Sequence, residues 1–289
     1  MSRTTPAPGQ LHISGATRQQ KLYDGAIELL HIAEPPEGYY LATSFGKDSI
    51  VAHRLCDEAG VKYDAHHNIT GIDPPELVYF GRKYYPNVDR HAYTMSMWRL
   101  IEKKKALPMR TQRFCCTVLK EDGGIGRTCV MGIRAEESNR RANTWEPLAT
   151  RGYVANELRI FDNDDVQASM QRCNTRGKLV VNPLFYWTWA DLWDFICDRK
   201  MPYCSLYNEG FDRLGCIGCP MAGENGRKME FSRWPKFRGA YSRATQRVIN
   251  AGGFSKLTAL GMSAEEIVER WISDNAQEKS VYGQLEMEL

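Results

Sequence analysis

Two groups of residues in this 289-residue sequence combine side chains and spacing that are suited to chemistry. The first group is the hexapeptide Ser44, Phe45, Gly46, Lys47, Asp48 and Ser49. A glycine-containing turn ahead of a helix can surround a phosphate with backbone N–H groups, and hydroxyls can add further hydrogen bonds. Lys47 can neutralise phosphate charge, and Asp48 can help to hold Mg²⁺ or a ribose hydroxyl. This pattern predicts a nucleotide phosphate site, with a tight turn that holds no ligand as the alternative.

The second group consists of two cysteine pairs that lie far apart in the chain. Cys115 and Cys116 are adjacent, whereas Cys216 and Cys219 form a C-x-x-C turn. Four thiolates are the ligands that a [4Fe-4S] cluster takes, and zinc sites also use C-x-x-C. The pattern predicts an iron–sulfur cluster, with zinc bound to the same four thiolates as the alternative. A disulfide between Cys115 and Cys116 is the least favoured interpretation.

The elements that must position both groups alternate in type along the chain. Apolar runs of strand length predict strands at 39–43, 63–69, 91–94, 128–133 and 178–181. Apolar residues at helical spacing predict helices at 18–33, 50–59, 76–84, 97–105, 189–199 and 264–273. Strands that alternate with helices indicate an α/β fold with a doubly wound parallel sheet. The expected domains are an N-terminal arm and helix at 1–34, a nucleotide-binding α/β domain at 35–200, and a mostly helical, cysteine-containing extension at 201–289.

The composition is that of an ordinary soluble globular protein, with 43% hydrophobic and 25% charged residues. No apolar stretch is long enough for a membrane span or a signal peptide, so we expect no membrane partner. Nine cysteines without a secretory signal favour thiols in a reducing compartment, and hence the cytoplasm. The net charge of +3 is too small to indicate nucleic acid by itself.

Basic residues are concentrated in two stretches. Residues 99–120 contain seven lysines and arginines against Glu102, and residues 227–247 contain seven against Glu230. Such stretches indicate an anionic ligand or polyanion, or else solvated helix faces. In the second stretch, aromatic and basic side chains are interleaved and could bind nucleic acid by stacking and charge, or could form an amphipathic helix on the core. These side chains are Phe231, Trp234, Phe237 and Tyr241 with Arg233, Lys236 and Arg238.

The hexapeptide resembles the PP-loop signature Ser-Gly-Gly-x-Asp-Ser of ATP pyrophosphatases. Those enzymes cleave ATP between its α and β phosphates and transfer AMP to an oxygen that is to be replaced. Phe45 stands where the signature has its first glycine. A side chain at this position is expected to restrict the approach of the backbone to pyrophosphate.

Further segments resemble, in the same order, those of the phosphoadenosine phosphosulfate (PAPS) reductase family. They are Thr70-Gly71 with Pro75-Glu76, the segment from Gly132 to Arg141, and Asn182-Pro183-Leu184 with Trp187 and Trp193. With the hexapeptide they cover residues 35–222, and they imply an adenine nucleotide alpha hydrolase-like, Rossmann-like fold. The resemblance implies that the nucleotide is bound by the hexapeptide and by Thr70, Gly71, Glu76, Gly132, Arg134, Glu137 and Ser138. It implies that the catalytic residues are Lys47, Asp48, Arg134 and Arg141.

The cysteines resemble the cluster-binding pattern of the adenylyl-sulfate reductase branch of this family, in which a basic residue like Lys120 follows the tandem pair. Sulfonucleotide reductases attack the sulfate with a cysteine near the C-terminus, and no cysteine follows Cys219 here. The tripeptide Lys47-Asp48-Ser49 also keeps the residues that an ATP-cleaving loop uses. Both features favour ATP activation over sulfonucleotide reduction.

The leading prediction is therefore an ATP pyrophosphatase with Mg²⁺ and a [4Fe-4S] cluster that adenylates an acceptor for sulfur transfer, similar to the sulfurtransferase of DNA phosphorothioation. Its expected partners are an adenine nucleotide, a sulfur donor and an acceptor such as nucleic acid. The second prediction is an adenylyl-sulfate or PAPS reductase that uses an external thiol reductant. The third is a nucleotide or redox sensor without turnover. The acceptor, the sulfur donor and the oligomeric state, a homo-oligomer included, stay open.

Overall fold

The computed structural model of the protein describes residues 17–120, 123–137, 148–151, 170–173 and 178–273. The strands are β1 (Tyr39–Ala42), β2 (Tyr63–Asn68), β3 (Asp89–His91), β4 (Thr128–Val130), β5 (Leu148–Arg151), β6 (Met170–Cys173) and β7 (Lys178–Val181). The helices are α1 (Arg18–Ile32), α2 (Lys47–Ala59), α3 (Pro75–Tyr84), α4 (Met97–Lys104), α5 (Phe114–Leu119), α6 (Trp189–Asp198), α7 (Gly223–Arg233), α8 (Pro235–Asn250), α9 (Ser255–Ala259) and α10 (Ala264–Ser273). Short 3-10 helices span Ala135–Glu137, Ser205–Glu209 and Pro220–Ala222.

The described residues belong to two compact units, and each unit combines three segments of the chain. The first unit draws on Met1–His67, Glu76–His91 and Gly123–Phe211. The second unit draws on Asn68–Pro75, Ala92–Asp122 and Asp212–Leu289. The three domain ranges expected from the sequence stay a prediction.

The first unit is built on a seven-stranded sheet in the order β3-β2-β1-β4-β7-β5-β6. β1 pairs in parallel with β2 and β4, and β4 pairs in parallel with β7. These pairings confirm the predicted α/β fold with a parallel sheet. β5 runs antiparallel to β7 and parallel to β6, so the sheet is not parallel throughout. The sequence analysis misses β5 and β6, because their sequences, LATR and MQRC, lack the continuous apolar run that marks the central strands.

The central strands are fully buried, which explains why their sequences are apolar without alternation. Tyr39 and Leu41 in β1, Cys129 in β4 and Val180 in β7 are 0% exposed. Helices can cover both faces of a parallel sheet, so side chains on either side of such a strand are buried. α2 contacts both α1 and α6 in this unit.

Local signals set the helix ends in the first unit. α2 ends where Gly60 adopts a left-handed conformation, with φ of 66°. α6 begins with a capping box, in which the Thr188 hydroxyl accepts the Asp191 N–H and the Asp191 carboxylate accepts the Thr188 N–H. Arg18 of α1 also pairs with Asp191 at 3.0 Å. Each of these contacts fixes a helix that flanks the sheet.

Three of the predicted motifs follow neighbouring strands at their carboxyl ends. The hexapeptide follows β1, Gly132 and Arg134 follow β4, and Asn182 follows β7. Because β1, β4 and β7 are parallel and adjacent, their carboxyl ends meet at one edge of the sheet. Open α/β sheets bind ligands at this edge. The order of the strands therefore brings together motifs that are distant in the sequence.

The second unit is helical in its described part, as expected for a mostly helical extension. α8 packs against both α4 and α10. Tyr241 of α8 lies at the centre, with its ring 4.9 Å from Trp271 and 5.7 Å from Phe231. Neither here nor elsewhere in the described chain does a helix combine the length and the apolarity that a membrane crossing needs.

The stretch of interleaved aromatic and basic residues forms two helices instead of one. α7 ends at Arg233, and α8 begins at Pro235, whose ring cannot continue a helix but suits the first turn of the next. Phe231, Trp234 and Tyr241 are at most 7% exposed. The prediction that these three aromatic rings stack on nucleic-acid bases is therefore wrong, and packing on the core is confirmed for them.

Candidate functional site

The turn between β1 and α2 is held together by its own hydrogen bonds. The Ser49 hydroxyl donates to the Gly46 carbonyl at 2.9 Å and accepts the Ser44 N–H at 3.2 Å. The Thr43 hydroxyl accepts the Phe45 N–H at 3.2 Å. Ser49 is only 5% exposed, so its hydroxyl fixes the shape of the turn. A direct bond from Ser49 to phosphate stays a prediction.

Phe45 adopts a left-handed backbone with φ of 60°, a conformation that glycine adopts at little cost. Its ring is 2% exposed and packs on His67, with 4.5 Å between the ring centroids. Gly81 of α3 makes room for the ring, because a Cβ there would lie 2.5 Å from it. The Phe45 side chain thus lies in the core of the first unit and not in the turn. The expectation that it restricts the approach of the backbone to pyrophosphate is wrong.

Two buried cations share the carboxylate of Asp48 in the first turn of α2. Lys47 Nζ lies 3.0 Å from Asp48 Oδ2, and Arg134 Nε lies 2.5 Å from Asp48 Oδ1. Both cations are 4% exposed. Burial by itself would raise the pKa of Asp48, but the charges of Lys47 and Arg134 outweigh it and lower this pKa. Asp48 is therefore ionised at neutral pH, and the positive end of the α2 dipole lies beside two cations, an arrangement that suits an anion.

Gly132 lets the segment after β4 approach α2 closely. A Cβ at Gly132 would lie 2.8 Å from the backbone carbonyl of Asp48. Arg134 follows in the same segment, and its guanidinium also reaches the Glu136 carboxylate at 2.8 Å. Glu137 accepts the Arg134 N–H at 3.4 Å. The structure therefore brings Gly132, Arg134 and Glu137 together with the hexapeptide.

Tyr207 completes this site from the 3-10 helix Ser205–Glu209. Its hydroxyl oxygen accepts the Lys47 N–H at 2.8 Å. Its ring lies 5.8 Å from the Lys47 ammonium and 5.2 Å from the Trp193 ring. Burial raises the pKa of Tyr207, and the hydrogen bond from Lys47 opposes this only in part. The sequence analysis misses Tyr207, because a tyrosine 160 residues from its partner carries no local signal.

For the other residues predicted to contact the nucleotide, the predicted roles stay predictions. Thr70 and Gly71 belong to the second unit. Glu76 lies in the first turn of α3. Ser138 and Arg141 lie outside the described residues, so their predicted roles stay predictions.

All four predicted cysteine ligands belong to the second unit, and their thiols influence one another. The pKa of Cys115 is raised by a hydrogen bond with Cys116, by burial, and by the charges of Cys216 and Cys219. Such an influence falls off with distance, so the thiols of the two pairs lie within electrostatic range of one another. All four are free thiols. Among the described residues, no group of three or more histidine, cysteine, aspartate or glutamate side chains is arranged to hold a single metal ion.

Cys216 lies among polar groups of the same unit. Its sulfur is 3.6 Å from the Thr70 hydroxyl and 3.8 Å from the Asp73 carboxylate. Burial raises the pKa of Cys216 to about 11, although the Lys120 ammonium favours the thiolate. The charge of Cys216 is the main cause that raises the pKa of Lys120. Lys120 therefore stays protonated at neutral pH and carries a positive charge near Cys216.

The backbone of the C-x-x-C turn is fixed from three sides. The Gly218 N–H donates to the Glu230 carboxylate at 2.7 Å, and the Tyr241 hydroxyl donates to the Ile217 carbonyl at 3.0 Å. The Ile217 N–H donates to the Ile72 carbonyl at 2.8 Å. Gly218 has φ of 78°, and a Cβ there would lie 2.9 Å from the Tyr241 ring. Burial raises the pKa of Glu230 to about 7, despite the N–H that it accepts.

A family model described as the phosphoadenosine phosphosulfate reductase domain matches residues 38–222. The chain belongs to this family. The match begins just before β1 and ends just after Cys219, so it includes the hexapeptide, the Gly132 segment and all four cysteines. The family predicted from the sequence is therefore confirmed.

Relatives of this PAPS reductase family member include enzymes with a stated activity. The adenosine 5'-phosphosulfate reductase of Geobacillus sp. (strain WCH70) is 24% identical over 230 residues, which cover 73% of this chain and 85% of that protein. The adenosine 5'-phosphosulfate reductase of Allochromatium vinosum is 26% identical over 226 residues, which cover 72% of this chain and 78% of that protein. An uncharacterized protein of Methanocaldococcus jannaschii is 29% identical over 221 residues, but the match spans only 40% of that protein.

Solved structures show lower similarity. The phosphoadenylyl-sulfate (PAPS) reductase from Candida auris, in a phosphate complex, gives a TM-score of 0.44 at 16% identity and covers 73% of this chain and 98% of that chain. The FMN adenylyltransferase of Candida glabrata, in complex with ATP, gives a TM-score of 0.43 at 16% identity and covers 69% of this chain and 61% of that chain. Membership of the PAPS reductase family therefore rests on the family model.

Proposed function

We propose that this member of the PAPS reductase family binds ATP at the hexapeptide turn, cleaves it between the α and β phosphates, and adenylates an acceptor oxygen for sulfur transfer. The observation that carries the proposal is the pair of buried cations, Lys47 and Arg134, held on one carboxylate at the start of α2. Buried cations beside a helix N-terminus are suited to a polyphosphate. The ionised Asp48 suits Mg²⁺, which proteins bind through one or two carboxylates together with substrate phosphates.

In the proposed reaction the acceptor oxygen attacks the α phosphorus, the bond from this phosphorus to the bridging oxygen breaks, and pyrophosphate leaves. Negative charge develops on the bridging oxygen and on the departing pyrophosphate. Lys47 and Arg134 would exchange Asp48 for phosphate oxygens and stabilise that charge. Mg²⁺, when bound, adds further charge neutralisation.

In this proposal, Cys115, Cys116, Cys216 and Cys219 bind a [4Fe-4S] cluster. Two observations support this assignment: the cluster takes four thiolates, and the charges of Cys216 and Cys219 raise the pKa of the free thiol Cys115, so the two pairs influence one another. Lys120 would offset part of the negative charge of the thiolates. The cluster, when bound, supplies redox and sulfur chemistry, whereas zinc on the same thiolates would have a structural role.

Nucleic acid is the proposed class of acceptor, and charge alone supports it. Arg233, Lys236 and Arg238 are exposed, while the rings of Phe231, Trp234 and Tyr241 are buried. Phosphate contacts of this kind give affinity without sequence preference, and they weaken as salt increases.

A second candidate is the reduction of adenylyl sulfate, which is the stated activity of the relatives from Geobacillus and Allochromatium. In that reaction a thiol attacks the sulfate sulfur, the bond between this sulfur and the AMP oxygen breaks, and AMP leaves. A second thiol then releases sulfite, and the two thiols are oxidised to a disulfide. Residues 220–289 contain no cysteine, so this candidate includes an external thiol reductant.

Anaerobically purified protein would distinguish these functions. Pyrophosphate release is measured with ATP and Mg²⁺, in the presence of DNA, of tRNA or of neither, and sulfite release is measured with adenylyl sulfate and dithiothreitol. We expect pyrophosphate release that falls about 100-fold in Lys47→Ala and stays unchanged in Lys62→Ala, where an exposed lysine of the same unit is removed.

Each other outcome has a definite meaning. Sulfite without pyrophosphate would support the second candidate. Bound nucleotide without either product would indicate a sensor. Pyrophosphate release that persists in Lys47→Ala would show that the turn does not have the role proposed for it.

A further inference from the structure

The first amide of α2 has an unusual partner. Gly46 occupies the position that normally supplies a capping side chain, and it has none to offer. A capping side chain would accept the second or third N–H of the helix, whereas the first, that of Lys47, donates to the hydroxyl of Tyr207 at 2.8 Å. A phenol oxygen from a distant segment therefore caps the helix at the point where a phosphate would be bound.

The same hydroxyl has a second hydrogen-bonding function. A phenol both accepts and donates, so the Tyr207 O–H can still donate a bond after its oxygen has accepted the Lys47 N–H. Within the part of the chain that the structure describes, Tyr207 has no acceptor for this proton. Donation into the oxygen polarises the O–H and makes it a stronger donor.

Packing holds the hydroxyl in place. The Tyr207 ring contacts Trp193 edge to face at 5.2 Å and lies 5.8 Å from the Lys47 ammonium. Burial raises the pKa of Tyr207, so the phenol keeps its proton at neutral pH. A fixed, protonated donor thus stands beside Lys47 at the N-terminus of α2.

We propose that Tyr207 is a phosphate ligand of the nucleotide site: its oxygen caps the Lys47 N–H while its O–H donates to a phosphate oxygen of the bound nucleotide. The inference rests on the proposed binding of nucleotide at the hexapeptide turn. Tyr207 would thereby add a phosphate contact that the hexapeptide alone does not supply. The contact recognises the phosphate and not the nucleoside.

Tyr207→Phe is the matching variant, because it keeps the ring and removes only the hydroxyl. Tyr203→Phe is the control, since Tyr203 contacts the same Trp193 ring at 5.1 Å but bonds its hydroxyl to Asn208. Dissociation constants for ATP, inorganic pyrophosphate and adenosine are measured by calorimetry. A hydrogen bond to a charged group is lost in Tyr207→Phe, so we expect roughly 10- to 100-fold weaker binding of ATP and pyrophosphate. Adenosine binding should not change, and Tyr203→Phe should bind all three probes like the wild type.

Each other outcome of the binding experiment leads to a different conclusion. Equal affinity of Tyr207→Phe and wild type for pyrophosphate would overturn the proposal for Tyr207 alone. Equal weakening of adenosine would show that Tyr207 only supports the fold of the site. Failure of the wild type to bind either phosphate probe would overturn both this inference and the proposed function.

A second measurement does not depend on the stability of Tyr207→Phe. Site-specific 3-fluorotyrosine at position 207 retains the hydroxyl and reports its environment by fluorine NMR. We expect its resonance to shift when pyrophosphate is added, and the same label at position 203 to stay unchanged. An unshifted resonance at position 207 under saturating pyrophosphate would contradict the contact.

Discussion

The phosphate turn, the hexapeptide at residues 44–49 that is proposed to bind nucleotide phosphates, and the C-x-x-C turn of the second unit differ in how their charges are balanced. In the phosphate turn, Asp48 already neutralises Lys47 and Arg134, and its pKa is lowered. In the cysteine site, burial and neighbouring thiols raise the pKa values of Cys115 and Cys216. In the proposed function, ligand binding to the turn would exchange one set of ion pairs for another. Metal binding to the cysteines would first have to remove protons, so the proposed cofactor would make this site charged.

The largest expected effect is the loss of the cofactor when one cysteine is removed. Cys219→Ala should lose nearly all bound iron and acid-labile sulfide, because a cluster held by three thiolates has an open position. Cys197→Ala removes an exposed cysteine of α6 and should keep the wild-type content. Iron and sulfide analysis with visible absorption spectra tests this on anaerobically purified protein. A colourless wild-type protein with one zinc ion per chain would show that the cluster assignment is wrong.

Gly132→Ala should damage the phosphate turn without touching any of its charged side chains. The new Cβ would lie 2.8 Å from the Asp48 backbone, so the segment that carries Arg134 must move. A misplacement of about 1 Å in an active site can cost about 100-fold in rate, and we expect a loss of that order in kcat/KM for pyrophosphate or sulfite release. Gly25→Ala, where no atom lies within 4 Å of the new Cβ, is the control. Full activity in Gly132→Ala would show that the segment after β4 is not part of the site.

A double-mutant cycle tests the packing beneath the phosphate turn. Gly81→Ala should lower the free energy of unfolding by about 1–3 kcal/mol, because its Cβ would lie 2.5 Å from the Phe45 ring. In a Phe45→Gly background the same change should instead stabilise α3 by up to about 1 kcal/mol, since alanine is the better helix former. Urea unfolding of the four proteins measures both effects. If Gly81→Ala lowered the free energy of unfolding equally in both backgrounds, the Phe45 ring would not be the reason for the glycine at position 81.

The smallest expected effect concerns the pH dependence of the cysteine site without its cofactor. Glu230 has a pKa raised from 4.5 to about 7, so between these values it keeps a proton in the folded protein that it loses in the unfolded chain. The free energy of unfolding of the apo-protein should therefore fall as pH rises from about 4.5 to 7. Glu230→Gln should flatten this slope, whereas Glu224→Gln, in the same helix, should keep it. Urea unfolding at several pH values measures this dependence in the wild type and both variants. An identical slope of unfolding free energy against pH in all three proteins would show that a group other than Glu230 titrates.

Much of the fold could be read from the sequence because its signals are local. The apolar run of β1, the turn residues after it and Gly60 at the end of α2 each act on their immediate neighbours. The motifs after β1, β4 and β7 then meet because parallel strands end at one edge of the sheet. The antiparallel β5 has no comparable signal.

The missed site residues are those whose roles depend on partners outside their own element. Tyr207 caps an amide 160 residues away, and Glu230 of α7 accepts the N–H of Gly218 in the C-x-x-C turn. The direction of the Phe45 ring depends on the space left by Gly81. Helical spacing in the second basic stretch also runs across the boundary at Pro235, so the pattern does not show that two helices are present.

The interleaving of the two units has a consequence for how the protein is made. The second unit gathers Asn68–Pro75, Ala92–Asp122 and Asp212–Leu289, and its two cysteine pairs come from the second and third of these segments. A ribosome adds about 5–20 residues per second, so Cys115 and Cys116 emerge on the order of ten seconds before Cys216 and Cys219. During that interval Cys115 and Cys116 are present without Cys216 and Cys219, and their thiols are exposed to oxidation. If the cysteines bind the proposed cluster, its insertion is thus a late step of biogenesis, because it must await the synthesis of the third segment.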